Sequence, residues 1–449
     1  MNFLSLSFAV LMFILCILLY FIRSEKTVKY ILLIAGYIFY SGFSLPALAV
    51  LIILSVFTWV SGYLISKKKS EKEKSRMILV KSVVIQLLVL LFFKYVRGDL
   101  MPVGLSFYLL MAISYLVDMY RGDIKDDTGL IDAMIFIGFF PMVVSGPVMK
   151  AKEFLPQLSS RRPLTKERLS YGIQLFALGA FEKLVIADRL SVAVNSVYKA
   201  PLAYSGGSLF FTSLAYTLQL FFDFSGYSNM AVATASILGF ELTKNFDLPY
   251  IAKNPSDFWR RWHISLSSWL KEYVYIPLGG NRLGKGRTYL NLFLTMIVSG
   301  LWHGSTLNFF LWGALHGVGS VVHRFFVQTK KEGKHNISIP PFLSGILNFF
   351  FVSFLWIPFR AENLSDSWII FKRIITLKPG VRYYYVYTWI FLLLLLVVEG
   401  YALLKNNGRD PFKPLSLEKM SGKVIFSIFL ILTAVFAYFG SGAFIYAGF

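Results

Sequence analysis

The sequence predicts an all-α, polytopic membrane protein with a single domain over residues 1–449. Its composition is the first reason, since 56% of its residues are hydrophobic and only 15% are charged, with a mean hydropathy of +0.62. A soluble domain is about 25% charged. Apolar runs of membrane-spanning length also recur along the chain, and no soluble domain separates them. We therefore expect a helical bundle rather than a secreted protein or a single anchor.

The apolar runs, taken in chain order, predict about eleven membrane-spanning helices once imperfect runs are discounted. They cover residues 2–22, 28–43, 47–66, 77–95, 103–119, 131–149, 169–187, 208–239, 289–322, 340–359, 385–404 and 424–447. No fixed-period repeat relates these runs to one another.

Basic residues cluster in some connectors and are absent from others. Lys and Arg total 45 against 24 Asp and Glu, a formal net charge of +21. In a membrane protein this excess indicates cytoplasmic loops rather than nucleic-acid binding. The connector at 67–76 holds six basic residues, whereas that at 41–46 holds none. We therefore expect the N-terminus outside, and connectors 67–76, 324–334 and 405–423 in the cytoplasm, where they can also contact anionic lipid.

Two apolar runs have an unusual length. The run at 289–322 has 34 residues and that at 208–239 has 32. As one helix, the longer run would extend about 51 Å against a hydrocarbon core of about 30 Å. Small and polar residues interrupt them at 299–305 and 223–229. We expect both runs to be broken or re-entrant, with irregular backbone that lines a cavity.

His303 lies in the later interruption, between Trp302 and Gly304. A titratable side chain at membrane depth is costly, and imidazole exchanges a proton near neutral pH. Gly300 and Gly304 would let a substrate approach the backbone closely. From the residues alone two interpretations stay open. His303 is either a general base or a structural histidine bonded to a carbonyl that the helix break frees.

His263 is expected on a helix that begins at Pro255 and continues to residue 273. The apolar stripe of that helix consists of Trp259, Trp262, Leu266, Trp269, Leu270 and Tyr273. Because His263 falls on the stripe, it should face the protein or the membrane, with Arg260 and Arg261 turned elsewhere. Three tryptophans at this spacing favour an interfacial helix.

The segment 240–288 around that helix carries eight basic residues against four acidic ones. A basic, aromatic surface could hold the phosphates of an acyl donor, and positive-inside bias explains the charge nearly as well. Asp223 and Glu182 lie in apolar surroundings, so each needs a partner or must be protonated.

The remaining candidate residues indicate no metal centre. No two of the five histidines have the i, i+4 spacing of a helical zinc site, and Cys16 lies inside an apolar run. His323 and His335 are expected to be solvated or interfacial. Nucleotide-binding and serine-hydrolase motifs are also absent from the sequence. We expect no tightly bound cofactor.

Several motifs closely resemble those of the membrane-bound O-acyltransferase family. They are FFDFSGYSN at 221–229, WRRWHISLS at 259–267, YIPLGGNR at 275–282 and GLWHG at 300–304. Residues 101–107 and 141–147 fit as well, while the last hundred residues match weakly. The resemblance implies tilted helices around a central funnel, with His303 as the catalytic histidine and His263 as the second motif histidine. The expected substrate-binding residues are Trp302, Asp223, Asn229, Trp259, Arg260 and Arg261.

The resemblance also implies an activity. Relatives pass an acyl group, here expected to be acetyl, from a cytoplasmic thioester such as acetyl-CoA or an acyl carrier protein through a bacterial plasma membrane. The acceptor would be an extracellular or cell-wall polysaccharide, reached through a separate extracytoplasmic acetyltransferase-like or esterase-like partner protein. His303 would deprotonate the acceptor hydroxyl, and His263 or a backbone N–H would steady the oxyanion. Two alternatives stay open: D-alanine transfer to teichoic acid, and a membrane transporter.

Overall fold

The computed structural model describes residues 1–334, 339–405, 408–409, 412–439 and 444–445. Every regular element in these residues is helical, and an isolated β-bridge joins Tyr204 to Val381. This confirms the predicted all-α class. The helices of the first half are α1 Leu6–Phe21, α2 Glu25–Ser41, α3 Leu45–Lys67, α4 Lys72–Leu91, α5 Leu105–Arg121, α6 Leu130–Gly138, α7 Phe140–Val143, α8 Ala151–Ser159, α9 Lys166–Phe181 and α10 Asp188–Tyr198.

The second half contains the long central helix and the helices that carry the two motif histidines. Its helices are α11 Gly206–Leu238, α12 Pro255–Arg261, α13 Ile264–Leu270, α14 Lys285–His303, α15 Leu307–Lys331, α16 Pro341–Arg360, α17 Leu364–Ile375, α18 Val386–Lys405 and α19 Met420–Phe436. Wider π-helical turns follow three of the helices, at Phe92–Val96, Glu182–Ala187 and Lys271–Tyr275.

Five helical segments of the described chain are long and apolar enough to cross a membrane. They are Leu45–Lys67, Lys72–Val96, Lys166–Tyr198, Pro341–Arg360 and Val386–Lys405. The expected count of about eleven is therefore not confirmed. Helix α6 has only 9 residues, and α1 and α19 are apolar but shorter than these five. Helix α11 is long enough, but polar side chains such as Gln219 and Asp223 lower its hydropathy.

The basic connectors lie together on one face of the bundle. The contacts that join them are Lys69–Asp126 (2.9 Å), Lys152–Asp123 (3.3 Å), Arg121–Glu272 (3.6 Å), Lys285–Glu332 and Arg261 with the Gly408 carbonyl (2.8 Å). Helix α2 leads away from this face to the uncharged connector at 41–46, where Gly42 lies against Met1. The connectors that the positive-inside rule assigns to one compartment thus share one face.

Helix α11 runs unbroken for 33 residues, so the expected break at 223–229 is wrong. Nearly all of its side chains are buried, because α9, α10 and α16 pack against it. A Cβ atom on Gly226 would lie 2.6 Å from the carbonyl oxygen of Gly179, so glycine is required at this crossing. Polar side chains of α11 find partners in these neighbours, and the backbone keeps its helical hydrogen bonds.

The expected break at 299–305 is confirmed, and it makes a helical hairpin. Helix α14 ends at His303, Gly304 is extended, and α15 begins at Leu307 and runs back along α14. A Cβ atom on Gly300 would lie 2.3 Å from the carbonyl oxygen of Phe309. The glycines around His303 therefore serve close packing of α15 on α14, which corrects the expectation that they admit substrate.

The segment 255–273 is not one helix. Its start at Pro255 is confirmed, with the Asn254 side chain accepting a hydrogen bond from the Asp257 N–H. The segment then breaks into α12 and α13 at His263, whose φ of 44° is left-handed. The interfacial placement of its tryptophans is wrong, because Trp262 is 1% exposed and packs 4.9 Å from Trp356 of α16.

Both ends of the described chain pack on the central helix. Tyr227 of α11 lies 4.9 Å from the ring of Phe3 and 4.8 Å from that of Phe444. The assignment of one domain to residues 1–449 stays a prediction.

Candidate active site

His303 stands at the tip of the α14–α15 hairpin. At about 1.5 Å per residue, the helix places it about 27 Å from Lys285 at the basic face. The side chain is 2% exposed. Three aromatic rings surround the imidazole, with centroid distances of 4.8 Å to Trp302, 5.1 Å to Trp312 and 5.2 Å to Phe359. This cage fixes the ring and keeps bulk water away from it.

His263 is held from its Nδ1 side by Asn245. The Asn245 Oδ1 atom lies 3.4 Å from Nδ1 of His263 and accepts a hydrogen bond from the Ser265 hydroxyl at 2.6 Å. The Asn245 amide nitrogen donates to Ser228 at 2.9 Å, which identifies Oδ1 as the atom that faces the imidazole. A neutral His263 therefore carries its proton on Nδ1 and has its lone pair on Nε2.

Trp302 lies between the two histidines. Its ring centroid is 4.8 Å from that of His303 and 6.3 Å from that of His263. The indole N–H donates to the Ser106 carbonyl at 3.1 Å, which fixes the plane of the ring. The structure thus brings together three of the residues that the sequence singles out.

Lys94 is a site residue that the sequence reasoning missed. It lies in the π-helical turn after α4, and its ammonium group donates to the carbonyl oxygen of Trp302. That carbonyl belongs to the last turn of α14, where the helix dipole is negative. The only sequence signal is a single lysine near the end of the apolar run at 77–95.

Asp223 has a buried cation as its partner, as its apolar surroundings require. Lys183 lies 2.7 Å from Asp223 and 2.7 Å from Asp188, and the Ile445 N–H donates to the second oxygen of Asp223 at 2.8 Å. These contacts account for the carboxylate within the fold. Its assignment to substrate binding stays a prediction.

Asn229 lines a cavity beside the second histidine. Its amide donates to Glu182 at 2.8 Å. The cavity has a volume of about 410 Å³ and apolar walls from α9, α11 and α18, and Ser228 and Asn245 line its polar side. Since Asn245 also contacts His263, Asn229 and His263 border the same polar region.

A second cleft carries the other predicted binding residues. Trp259 and Arg260 line a space of about 450 Å³ that reaches Ser299, one helical turn before His303. It shares four lining residues, Lys271 among them, with a space of about 330 Å³ at the basic face, where Arg282 and Arg324 also lie. Arg261 is placed differently, because it bonds the carbonyls of Asp247 and Gly408 at 3.0 and 2.8 Å.

The other histidines differ in burial. His316 is fully buried, with its ring 5.0 Å from Trp259 and 4.8 Å from Trp312. His323 lies at the basic end of α15, where its Nδ1 is 3.1 Å from the Ser256 hydroxyl. His335 lies outside the described residues.

One group of three acids in the described chain is close enough to share a cation. Asp118, Asp123 and Glu272 have oxygens within 4.8 Å of one another. Lys152 contacts both Asp123 and Glu272, and Lys150 lies 2.8 Å from Glu272. Burial alone would raise the pKa of Glu272, but hydrogen bonds from these lysines hold it below its ordinary value. The two ammonium groups thus offset the negative charge of this acidic group.

Comparison with known proteins gives a consistent family match. The sequence model of the membrane-bound O-acyltransferase family matches residues 34–357, which include both motif histidines. The chain is 36% identical over 367 residues to a probable alginate O-acetylase AlgI of Pseudomonas syringae pv. tomato, covering 77% of this chain and 70% of that protein. It is 31% identical over 390 residues to a peptidoglycan O-acetyltransferase of Helicobacter pylori, covering 77% and 73%. A teichoic acid D-alanyltransferase of Streptococcus thermophilus is 32% identical over 241 residues, 51% of this chain and 58% of that protein.

Proposed function

Since the chain belongs to the membrane-bound O-acyltransferase family, we propose that it moves an acetyl group from a cytoplasmic thioester across the membrane for O-acetylation of a polysaccharide. The buried His303 in its aromatic cage, one helical turn beyond a cleft that opens at the basic face, carries this proposal. Family membership favours an enzyme over the transporter alternative. The D-alanine alternative is weaker, because that similarity covers only 51% of the chain.

The reaction needs one proton transfer to His303 and one proton transfer from it. His303 takes the proton of the acceptor hydroxyl while the hydroxyl oxygen attacks the carbonyl carbon of the thioester. The tetrahedral intermediate then expels the thiolate, and the carbon–sulfur bond breaks as the new ester remains. The imidazolium of His303 returns the proton to the thiolate. No water takes part, so the dry cage around His303 also protects the thioester from hydrolysis.

His263 suits a different part in this reaction from the expected one. Its Nδ1 faces the Asn245 oxygen, so the neutral ring offers a lone pair on Nε2 and has no proton there to steady an oxyanion. Backbone N–H groups at the start of α15 are better suited to that role, because they follow the hairpin tip and lie at the positive end of a 25-residue helix. We assign His263 to orienting the acceptor hydroxyl.

The cleft between α12, α13 and α14 fits the thioester donor. Lys271, Arg282 and Arg324 at its mouth match the phosphates of acetyl-CoA or of the prosthetic arm of an acyl carrier protein. Its inner walls are mainly apolar and lead toward His303 along Trp259, Met296 and Ser299. The donor therefore enters from the basic face, which the positive-inside rule places in the cytoplasm of a bacterial cell.

The acceptor approaches from the opposite face of the bundle. The acyl group, once it is esterified to the acceptor hydroxyl beside His303, must still reach a polymer outside the plasma membrane. A separate extracytoplasmic acetyltransferase-like or esterase-like protein completes this delivery, with the polysaccharide as the final acceptor.

The test is thioester consumption coupled to acceptor acylation, in membranes that contain matched amounts of each variant. His303→Ala should lower the rate by about 10²–10⁴, the usual contribution of a positioned base. His303→Gln should be equally impaired, because an amide hydrogen-bonds but does not accept the proton. Lys331→Gln, at the far end of the same hairpin, is the matched control and should behave as wild type. Near-normal turnover by His303→Gln would show a structural role and refute the assignment.

A further inference from the structure

Two connectors meet on the face opposite the basic connectors. They are residues 199–205 after α10 and residues 361–385, which lie between α16 and α18 and contain α17. Backbone bonds join them, from the Ser205 N–H to the Val381 carbonyl at 3.0 Å and from the Val381 N–H to the Ala203 carbonyl at 2.9 Å. The Arg373 guanidinium adds a bond to the Tyr204 carbonyl at 3.0 Å. The two connectors thus form one rigid surface.

A row of tyrosine rings lies on this surface. The Tyr383 and Tyr385 rings stack with centroids 6.3 Å apart and an angle of 13°, and Tyr387 follows 5.2 Å further on. Tyr204 meets the start of the row at 6.2 Å from Tyr383. Tyr383 and Tyr385 share one side because alternate residues of an extended segment do so, whereas Tyr384 packs on Phe211 and Tyr387 lies in the first turn of α18. Tyr383, Tyr385 and Tyr387 are all partly exposed.

The surface around the row is basic. Within residues 189–206 and 360–387 there are seven basic residues and two acidic ones. The basic residues are Arg189, Lys199, Arg360, Lys372, Arg373, Lys378 and Arg382. The positive-inside rule predicts few basic residues in short connectors on this face. Membrane orientation therefore does not explain them.

Internal ion pairs do not explain them either. Lys378 and Arg382 are exposed, and their side chains make no hydrogen bond or ion pair with the described part of the chain. Arg189 lies over the Tyr387 ring at 4.7 Å, which adds its charge to the end of the row. The two acids of these connectors are Glu362 and Asp366, and Asp366 is bonded by the Asn363 cap of α17.

The surface is also close to the catalytic centre. Phe359, two residues before the connector 361–385 begins, packs 5.2 Å from the His303 ring. The Asn308 side chain, in the first turn of α15, donates to the Ala361 carbonyl at 2.7 Å. The connector is thus fixed directly to the hairpin tip.

We propose that this surface, the tyrosine platform formed by Tyr204, Tyr383, Tyr385, Tyr387, Lys378 and Arg382, binds a carboxylate-bearing polysaccharide. The partly exposed rings of Tyr204, Tyr383 and Tyr385 offer apolar surface for sugar rings, and the basic side chains pair with the carboxylates of those sugars. A row of rings with flanking cations matches the repeating structure of a charged polymer. This inference rests on the proposed function and adds a charge class to its acceptor and a place for it on the protein.

The experiment measures binding of an oligomer of uronic acid to the full-length protein in nanodiscs of zwitterionic lipid. The comparison ligand is the same oligomer with its carboxyl groups reduced to alcohols. Wild type should prefer the carboxylated oligomer, and added salt should weaken that binding. Lys378→Gln with Arg382→Gln should weaken it about tenfold. Lys330→Gln with Lys331→Gln, on the basic face, is the matched control and should have no effect.

A second variant separates stacking from charge. Tyr385→Leu interrupts the ring row and should weaken binding of both oligomers, while unfolding temperatures show that each variant is folded. The inference is overturned if the carboxylated oligomer is not preferred, or if the platform variants bind it as wild type does. If the platform variants lose binding of a purified extracytoplasmic partner but still bind the oligomer, the inference is also overturned, and the surface is a protein interface. Thioester consumption, measured in the same preparations, shows separately whether the proposed function holds.

Discussion

Lys183→Met should destabilise the bundle strongly, whereas Asp223→Asn should have a smaller effect. Lys183 is 2% exposed and lies 2.7 Å from one oxygen of Asp223 and 2.7 Å from one oxygen of Asp188. Its removal leaves two buried carboxylates that face each other without the shared cation. Removal of one partner from a buried ion pair typically costs about 3–5 kcal/mol. We expect a loss of that size in the free energy of unfolding.

Asp223→Asn leaves the buried charges balanced. Lys183 and Asp188 remain as a neutral pair, and the amide oxygen of asparagine still accepts the Ile445 N–H. The loss is one charge-assisted hydrogen bond, worth about 1.5–3 kcal/mol. In the triple variant Lys183→Met, Asp188→Asn, Asp223→Asn none of these three side chains carries a charge, so the variant should recover much of the stability that Lys183→Met alone loses.

The assay is chemical or thermal unfolding in one detergent, with acetyl transfer measured on the same samples. The expected order of stability is wild type, Asp223→Asn, the triple variant and then Lys183→Met. If Asp223 binds substrate, Asp223→Asn should lose more activity than its loss of stability explains, which keeps the sequence-based assignment. If Lys183→Met is as stable as wild type, the reasoning about the buried cation is refuted.

Three further predictions concern the hairpin, the second histidine and the orientation. Gly300→Val should separate α14 from α15, cost about 1–3 kcal/mol by overpacking and lower activity, and a stable, fully active variant would contradict the close contact. Asn245→Leu frees His263 to adopt the other tautomer, so it should lower the acyl-transfer rate, but by a smaller factor than the loss of a general base, which costs about 10²–10⁴. An unchanged pH–rate profile would argue against this role of Asn245. Cysteines placed in connectors 67–76 and 324–334 should resist impermeant thiol reagents in intact cells, and labelling from outside would reverse the orientation.

Composition and local pattern establish a large part of this protein. Charge content and apolar runs predict an all-α membrane protein, and the small residues around His303 predict a break that the structure places at Gly304. The apolar stripe predicts a buried His263, which is 1% exposed. These features depend on the residues of one segment, so they are readable without knowledge of its neighbours. The motif residues also predict the family.

Other features depend on which segments meet. Asp223 and Asn229 make α11 look breakable, but the π-helical turn after α9 supplies Lys183 and Glu182 as their partners, and the helix continues. Trp262 is not interfacial because α16 brings Trp356 against it. Lys94 reaches the carbonyl of Trp302 across 208 positions of sequence. A buried polar or aromatic group is stable only with the partner that the fold supplies, and segments distant in the chain supply it here.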